Sequence, residues 1–361
     1  MDIRQLDTNF VQKGAENVNY KLHSITADIL EGFLWKNENS DIFCRLPEKI
    51  FSELNRDGKE RLVELAHRTP GGALHFKTDS KHLMLKVQYR IIDLLKHMPI
   101  TGTAGFDVCV AESGKERFLR NLSPEVDTAD KETEFEFSCE LYGGMKEYKI
   151  YFPLYSGITQ LYVGLDENSD ILPPPKYPIE KPIAFYGSSI THGGCVSRPS
   201  NSYCAAVARK IGAECINLGF SGNAKGEVCV AREIAKKDLC CFVYDYDYNA
   251  PTPQYLAETH EPFFKEIRKY NPELPVVMVS RPYADTDKYD DALQRKQIIL
   301  NTYHNAVASG DKNVYFADGM RFFDNVERES ATVDLCHPND LGFLLMARGI
   351  YPIVKEAIEK K

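Results

Sequence analysis

The sequence predicts two folded units in series: an antiparallel β-sandwich, then a three-layer α/β unit on a parallel sheet. Three observations carry this. The first half alternates apolar and polar residues with period two, and the second half alternates short apolar runs with amphipathic stretches. A proline-rich seam separates the two rhythms. With 361 residues the chain is long enough for about two apolar cores.

Between Ile29 and Leu165 the segments Ala73–Lys77, His82–Gln88, Glu134–Cys139 and Glu147–Phe152 read as half-buried strands with turn signals between them. Ile50–Ala66 is the one helical stretch of this half. Leu172–Pro178 holds four prolines in seven residues, which suits a stiff connector and places the boundary between units 1–175 and 176–361. Beyond it, Ile183–Tyr186, Glu214–Leu218, Leu239–Tyr244, Val276–Ser280 and Val314–Ala317 read as buried strands. Helices are expected near Tyr203–Ile211, Val228–Lys236, Tyr255–Tyr270, Asp291–Ala308 and Leu341–Lys360. This alternation implies a mostly parallel sheet covered on both faces, with ligands gathered at the carboxyl ends of the strands.

Composition narrows the function classes. A formal net charge of −8 without a Lys/Arg block argues against a nucleic-acid or anionic-membrane surface. No apolar run reaches the roughly 20 residues needed to cross a bilayer. Met1–Tyr20 is polar and lacks the apolar stretch of a secretory signal. The 10 cysteines are scattered, with no Cys-x-x-Cys pair, and read as small buried thiols in a reducing, cytoplasmic setting. Cys195 with Cys336 is the one disulfide pairing left open. The 9 histidines show no metal-ligand spacing, so neither metal nor cofactor is expected.

Four polar clusters sit at predicted strand ends or helix starts. Gly187-Ser-Ser-Ile-Thr-His-Gly-Gly194 can present a serine hydroxyl on a sharp turn, or simply connect strand to helix. It lacks the Gly-Lys-Ser/Thr of a phosphate-binding Walker loop and the last glycine of a Gly-x-Ser-x-Gly elbow. Asn217-Leu-Gly-Phe-Ser-Gly-Asn-Ala-Lys225 offers Gly222 for a close backbone approach, or for a turn needing positive φ. In Tyr244-Asp-Tyr-Asp-Tyr-Asn249, Asn249 is either an amide donor or a turn residue. Asp334-Leu-Cys-His-Pro-Asn-Asp-Leu-Gly342 places a carboxylate three residues before an imidazole, with Asn339 or Asp340 free to cap the next helix. Together they supply a hydroxyl, an imidazole, an orienting carboxylate and oxyanion donors, the set an ester hydrolase needs.

These residues resemble the sequence blocks of the SGNH (GDSL-type) hydrolases. Gly187-Ser-Ser-Ile-Thr191 looks like the first block, Ser221-Gly-Asn223 the second, Asn249 the third, and Asp334-x-x-His337-Pro338 the last. The resemblance implies a flavodoxin-like α/β unit. It implies Ser189 as nucleophile, His337 as general base and Asp334 as its orienter, with Ser189, Gly222 and Asn249 as oxyanion donors. Ser188 stands where the family usually has Asp, and Asp247-Tyr-Asn-Ala250 replaces its Gly-x-Asn-Asp. In the first half, Cys44-Arg-Leu-Pro47, Phe76-Lys-Thr-Asp-Ser80 and Gly105-Phe-Asp-Val-Cys109 look like the β-domain of a two-domain subgroup named for Gly-x-Asp-Leu-Tyr, a jelly-roll-like sandwich.

The activity this implies is removal of a small O-acyl group, such as acetyl on a carbohydrate, from a small-molecule or oligosaccharide ester. The alternatives are acyl transfer through the same acyl-enzyme, or carbohydrate binding without catalysis. Thr191 and Arg281 are expected at the substrate, with a structural ion pair as the alternative for Arg281. His192 is not expected to be catalytic. Asp285, Asp287, Asp290 and Asp291 read as a solvated loop and helix start. Tyr148, Tyr151, Tyr155 and Tyr162 are either a sugar platform or strand packing, and an oligomer is allowed.

Overall fold

The computed structural model describes residues 18–112, 115–125, 133–282, 291–324 and 326–360. Before Pro173 the described strands are β1 (Tyr20–Ser24), β2 (Leu30–Glu31), β3 (Ala73–Thr78), β4 (His82–Ile91), β5 (Phe106–Glu112), β6 (Lys115–Leu122), β7 (Glu134–Glu140), β8 (Lys146–Tyr151), β9 (Gly157–Asp166) and β10 (Ile171–Leu172). They form two antiparallel sheets, ordered β1-β9-β4-β7 and β10-β3-β8-β5-β6, with β2 beside β3. Apart from β2–β3 and β5–β6, each successive pair of these strands steps between the two sheets, as in a jelly roll. Period-two patterning explains the packing: Leu83, Leu85, Val87 and Tyr89 of β4 are buried against Leu74, Phe76, Val108 and Ile150 of the facing sheet.

The expected helix over Ile50–Ala66 is two helices, α1 (Phe51–Arg56) and α2 (Glu60–Ala66), because Gly58 at φ +70° turns the chain between them. A short α3 (Ile100–Thr103) lies on the path from β4 to β5. After the prolines come β11 (Ile183–Gly187), α4 (Ser189–His192), α5 (Tyr203–Ile211), β12 (Cys215–Gly219), α6 (Val228–Ala235), β13 (Cys241–Asp245), α7 (Pro253–Tyr270), β14 (Val276–Val279), α8 (Ala292–Ala308), β15 (Val314–Ala317) and α9 (Asp340–Glu359). The sheet is parallel throughout, in the order β12-β11-β13-β14-β15. The order reverses at β11, so a crevice opens beyond the carboxyl ends of β11 and β13.

Alternate residues of each buried strand feed two cores. Ala184, Tyr186, Phe242 and Tyr244 face α6, α7 and α8, whereas Ile183, Phe185, Val243 and Val277 face α5 and α9. The first of these cores also takes in Trp35, Leu46, Leu54, Leu62 and Leu65, which precede the sandwich strands that follow α2. Arg45 anchors this crossing. Fully buried, its guanidinium donates to the carbonyls of Leu65 (2.7 Å), Arg68 (2.7 Å), Asn217 (3.0 Å) and Gly219 (2.8 Å), and lies 4.3 Å over the Phe220 ring. The proline connector is tied down too: Lys149 donates to the Tyr177 hydroxyl (2.6 Å), which donates to Glu31 (2.8 Å).

All ten cysteines, Cys195 and Cys336 included, are thiols, and nine are buried. Among the described residues, no helix is long and apolar enough to cross a membrane. Tyr148, Tyr151 and Tyr155 are buried in packing and form no platform. Of the acidic run, Asp285, Asp287 and Asp290 lie outside the described residues, and Asp291 pairs with Arg295 at 2.7 Å.

Arg45→Met keeps the apolar stem but removes the guanidinium hydrogen bonds to four carbonyls. It is expected to lower unfolding free energy by on the order of 3 kcal/mol, read as a shift of the urea midpoint with little change in slope.

Candidate active site

The four clusters converge on the crevice. At the end of β11, Ser188 caps α4 by accepting from the Ile190 N–H (3.2 Å), which leaves half-buried Ser189 at the first helical position. There its own N–H has no partner within the helix. Gly187 is required by crowding: a Cβ on it would sit 1.7 Å from a carboxylate oxygen of Asp245. The Ser189 Oγ lies 2.8 Å from His337 Nε2, across 148 residues of chain.

His337 is held by a tight loop ahead of α9. One oxygen of Asp334 accepts from the backbone N–H groups of Cys336 (3.0 Å) and His337 (2.7 Å), and the other lies 2.8 Å from His337 Nδ1. Leu335 adopts φ +64° to make this possible, a left-handed conformation disfavoured by about 1–2 kcal/mol for a side chain with a Cβ. Asn339, rather than Asp340, caps α9 through the N–H groups of Leu341 and Gly342. Partial burial raises the Asp334 pKa, but the His337 N–H and ring outweigh it and hold the carboxyl below its ordinary value. The group therefore stays ionised and keeps the Nδ1–H tautomer, leaving Nε2 as the acceptor facing the serine.

The expected oxyanion donors are arranged differently from the sequence reading. Gly222, at φ +70°, donates its N–H to Asn249 Oδ1 (3.1 Å). The Asn249 amide nitrogen donates to the carbonyls of Phe220 (3.0 Å) and Ala224 (2.9 Å), so its hydrogens are spent inside the second loop. Asn249 thus clamps the Phe220–Ala224 turn. The third loop is itself fixed by charge: Asp247 takes a two-pronged bond from Arg281 (3.1 and 2.7 Å), and Arg295 donates to the carbonyls of Asp247 and Ala250. Arg281 is 4% exposed, pairs with Asp247 and lies over the Tyr248 ring, which matches the structural ion pair of the two readings.

Thr191 is also displaced from its expected role. It is fully buried, and its hydroxyl bonds Asp245 and the Tyr203 hydroxyl, so it faces the interior between β13 and α5. His192 is a satisfied core histidine. Its ring stacks on Tyr155 at 4.2 Å, Nε2 bonds the Leu154 carbonyl (2.8 Å), and Nδ1 accepts from the Ser221 N–H (3.3 Å). Burial holds that ring neutral.

Two residues, Asp245 and His97, were missed, and Tyr155, expected on a sugar platform or in strand packing, lies at the site. Asp245 lies beside Gly187 in register and receives the Thr191 hydroxyl, the Tyr203 hydroxyl (2.8 Å) and the Ser188 N–H. A carboxylate ending an apolar strand was its visible signal. Tyr155 brings the sandwich against Ser221 and the Ser189 carbonyl (3.4 Å). His97 is exposed and stands beside His337, and nothing in its local sequence places it there. A cleft of about 430 Å³ between β8 and α5, lined by Lys149, Tyr151, Tyr177 and Arg209, contains none of the predicted site residues.

Comparison with known proteins bears on both units of the fold. Residues 180–355 match the GDSL-like lipase/acylhydrolase family, and residues 19–171 match the GxDLY domain, the N-terminus of esterases of SGNH-hydrolase type. A protein from Bacteroides ovatus assigned to the GDSL-like lipases superposes with a TM-score of 0.83 at 25% identity, over 94% of this chain and 98% of its own. A salicylyl-acyltransferase from a tetracycline biosynthetic pathway reaches 0.73 at 20% identity, over 93% and 97%. A family two carbohydrate esterase from Clostridium thermocellum, solved with cellohexaose, reaches 0.59 at 15% identity, over 80% and 93%. No protein of curated function matches the chain by sequence.

Burial raises the Asp245 pKa to about 7, against its hydrogen bonds from Thr191, Tyr203 and Ser188. A carboxyl raised on folding stabilises the fold fully below its ordinary value near 4 and loses that contribution as pH rises to 7. Asp245→Asn removes this slope, so its melting temperature relative to wild type is expected to be higher at pH 8 than at pH 5. Thermal denaturation at the two pH values measures the difference.

Proposed function

We propose that this chain, which belongs to the SGNH (GDSL-type) hydrolases in their two-domain form with a GxDLY-type β-domain, removes a small O-acyl group, acetyl on a carbohydrate above all. It is a serine esterase. The observation that carries the reading is the relay from Ser189 Oγ to His337 Nε2 and from His337 Nδ1 to Asp334, each step 2.8 Å.

In this reading Ser189 Oγ attacks the ester carbonyl carbon while His337 Nε2 takes its proton. Asp334 holds the ring in register and offsets the imidazolium charge. The Ser189 and Gly222 N–H groups bind the oxyanion, with Gly222 exchanging its Asn249 acceptor for the substrate oxygen. Asn249 serves that donor by fixing the turn around it. Collapse releases the alcohol, which takes the proton from His337 and leaves the acyl group as an ester of Ser189. Water, deprotonated by the same imidazole, then releases the acid.

The carbohydrate arm draws on the fold shared with family two carbohydrate esterases. Acyl transfer is the second reading: the salicylyl-acyltransferase shares the fold, and the same acyl-enzyme would pass to an alcohol instead of water. The β-unit, 1–175 in this scheme, reaches the crevice through Tyr155 and so shapes the site. Ten thiols support a reducing, cytoplasmic compartment.

Ser189→Ala is expected to abolish aryl-acetate hydrolysis and labelling by a fluorophosphonate probe while the melting temperature is kept. Hydrolysis undiminished in that variant overturns the assignment. Asp334→Asn is expected to cut kcat about 10²–10⁴-fold through loss of the productive tautomer. Product analysis with an oligosaccharide acceptor separates hydrolysis from transfer.

A further inference from the structure

Two residues outside the proposed machinery stand beside His337. His97, on the segment leading from β4 to α3, places its ring centroid 5.8 Å from that of His337. Cys195 follows the turn that ends α4, and its backbone N–H donates to the Pro338 carbonyl (2.9 Å), next in sequence to His337. One ligand atom each of His97, Cys195 and His337 lies within 4.8 Å of the other two.

We propose that these three residues form an inhibitory site for a borderline-soft divalent metal, with Zn²⁺ as its best occupant. Two imidazoles and a thiolate are the donor set that Zn²⁺ takes in tetrahedral sites, whereas Mg²⁺ and Ca²⁺ prefer oxygen ligands. Bond lengths of about 2.0–2.3 Å put tetrahedral ligand atoms roughly 3.5 Å apart, so the three need close by no more than about 1.3 Å. His97 is exposed on a connecting segment and can supply most of that movement. On coordination the Cys195 thiol gives its proton to solvent, a water or the substrate-side solvent fills the fourth position, and no redox change is involved.

The consequence for activity follows from bonds already described and rests on the reading of His337 as general base. Both ring nitrogens of His337 are committed, Nε2 to Ser189 and Nδ1 to Asp334. Whichever nitrogen takes the metal, one of those bonds is lost. Metal binding and catalysis are therefore mutually exclusive at this imidazole. The competing group Asp334, Cys336 and His337 also has its ligand atoms within 4.8 Å, but it draws on one tight loop whose carboxylate is already bonded to two backbone N–H groups.

The test uses the full chain stripped with a chelator. Zn²⁺ affinity is measured by competition with a chromophoric chelator in wild type, His97→Ala, Cys195→Ser and Cys336→Ser, beside aryl-acetate hydrolysis with added Zn²⁺ or Mg²⁺. One Zn²⁺ per chain is expected. Affinity should weaken at least tenfold in His97→Ala and Cys195→Ser and stay unchanged in Cys336→Ser. Saturating Zn²⁺ should lower hydrolysis at least tenfold, reversibly with EDTA, while Mg²⁺ has no effect. Equal Zn²⁺ affinity in wild type and His97→Ala overturns the site, as does a loss confined to Cys336→Ser. The binding arm is read without activity, so a chain that binds Zn²⁺ through His97 yet hydrolyses no ester would refute the esterase reading alone.

Discussion

The buried carboxylate of Asp245 sets the shape of the turn that carries Ser189. It lies beside Gly187 in the sheet register, so close that only glycine fits there. From that position it collects the Ser188 N–H, the Thr191 hydroxyl and the Tyr203 hydroxyl, tying both ends of α4 and the start of α5 to β13. Asp245, on the neighbouring strand, receives the hydrogen bonds of that turn. Ser188 keeps only the capping role, and Ser189 is left projecting into the crevice.

Much of this was legible because it depends on short-range pattern. Strand–helix alternation after the prolines located five strands and five helices within a few residues, since each buried strand is a continuous apolar run and each helix has one apolar face. Asp334 and His337 were legible as a pair because three residues of chain fix their approach. The direction of the Asn249 amide was not, because it depends on Asp247, Arg281 and Arg295, which meet only after β13, β14 and α8 are stacked. Thr191 failed for a related reason: its hydroxyl chooses between crevice and interior according to Asp245, a residue 54 positions away. His97 is farther still from any readable cue, since its place beside His337 is decided by how the sandwich docks.

That docking is not a loose tether. Residues 35–66 contribute to the same apolar core as β11, β12 and α6, and Arg45 closes the Asn217–Gly219 backbone with bonds that β12 cannot make to itself. Tyr155 and His192 form a second junction, passing from the end of β8 through a stacked pair to Ser221. Gly222, the next residue, donates its N–H to Asn249 and is the proposed oxyanion donor of the second loop. The β-unit therefore reaches the site through two independent routes, one behind the strand and one beside the loop.

The two carboxylates of the site are driven in opposite directions by the same physics. Asp334 is partly open to solvent and receives two backbone N–H groups, so ionisation is favoured and a lasting negative charge faces His337. Asp245 is sealed from water, and its hydrogen bonds do not fully offset desolvation, so its charge is costly near neutral pH. A fold that stored only stability would place an apolar group there. A carboxylate persists because nothing apolar can hold a backbone N–H and two hydroxyls in fixed directions around a glycine with no room for a side chain. Local stability is thereby exchanged for a Ser189 hydroxyl already aimed at the His337 imidazole, so that the proposed attack would need little reorganisation.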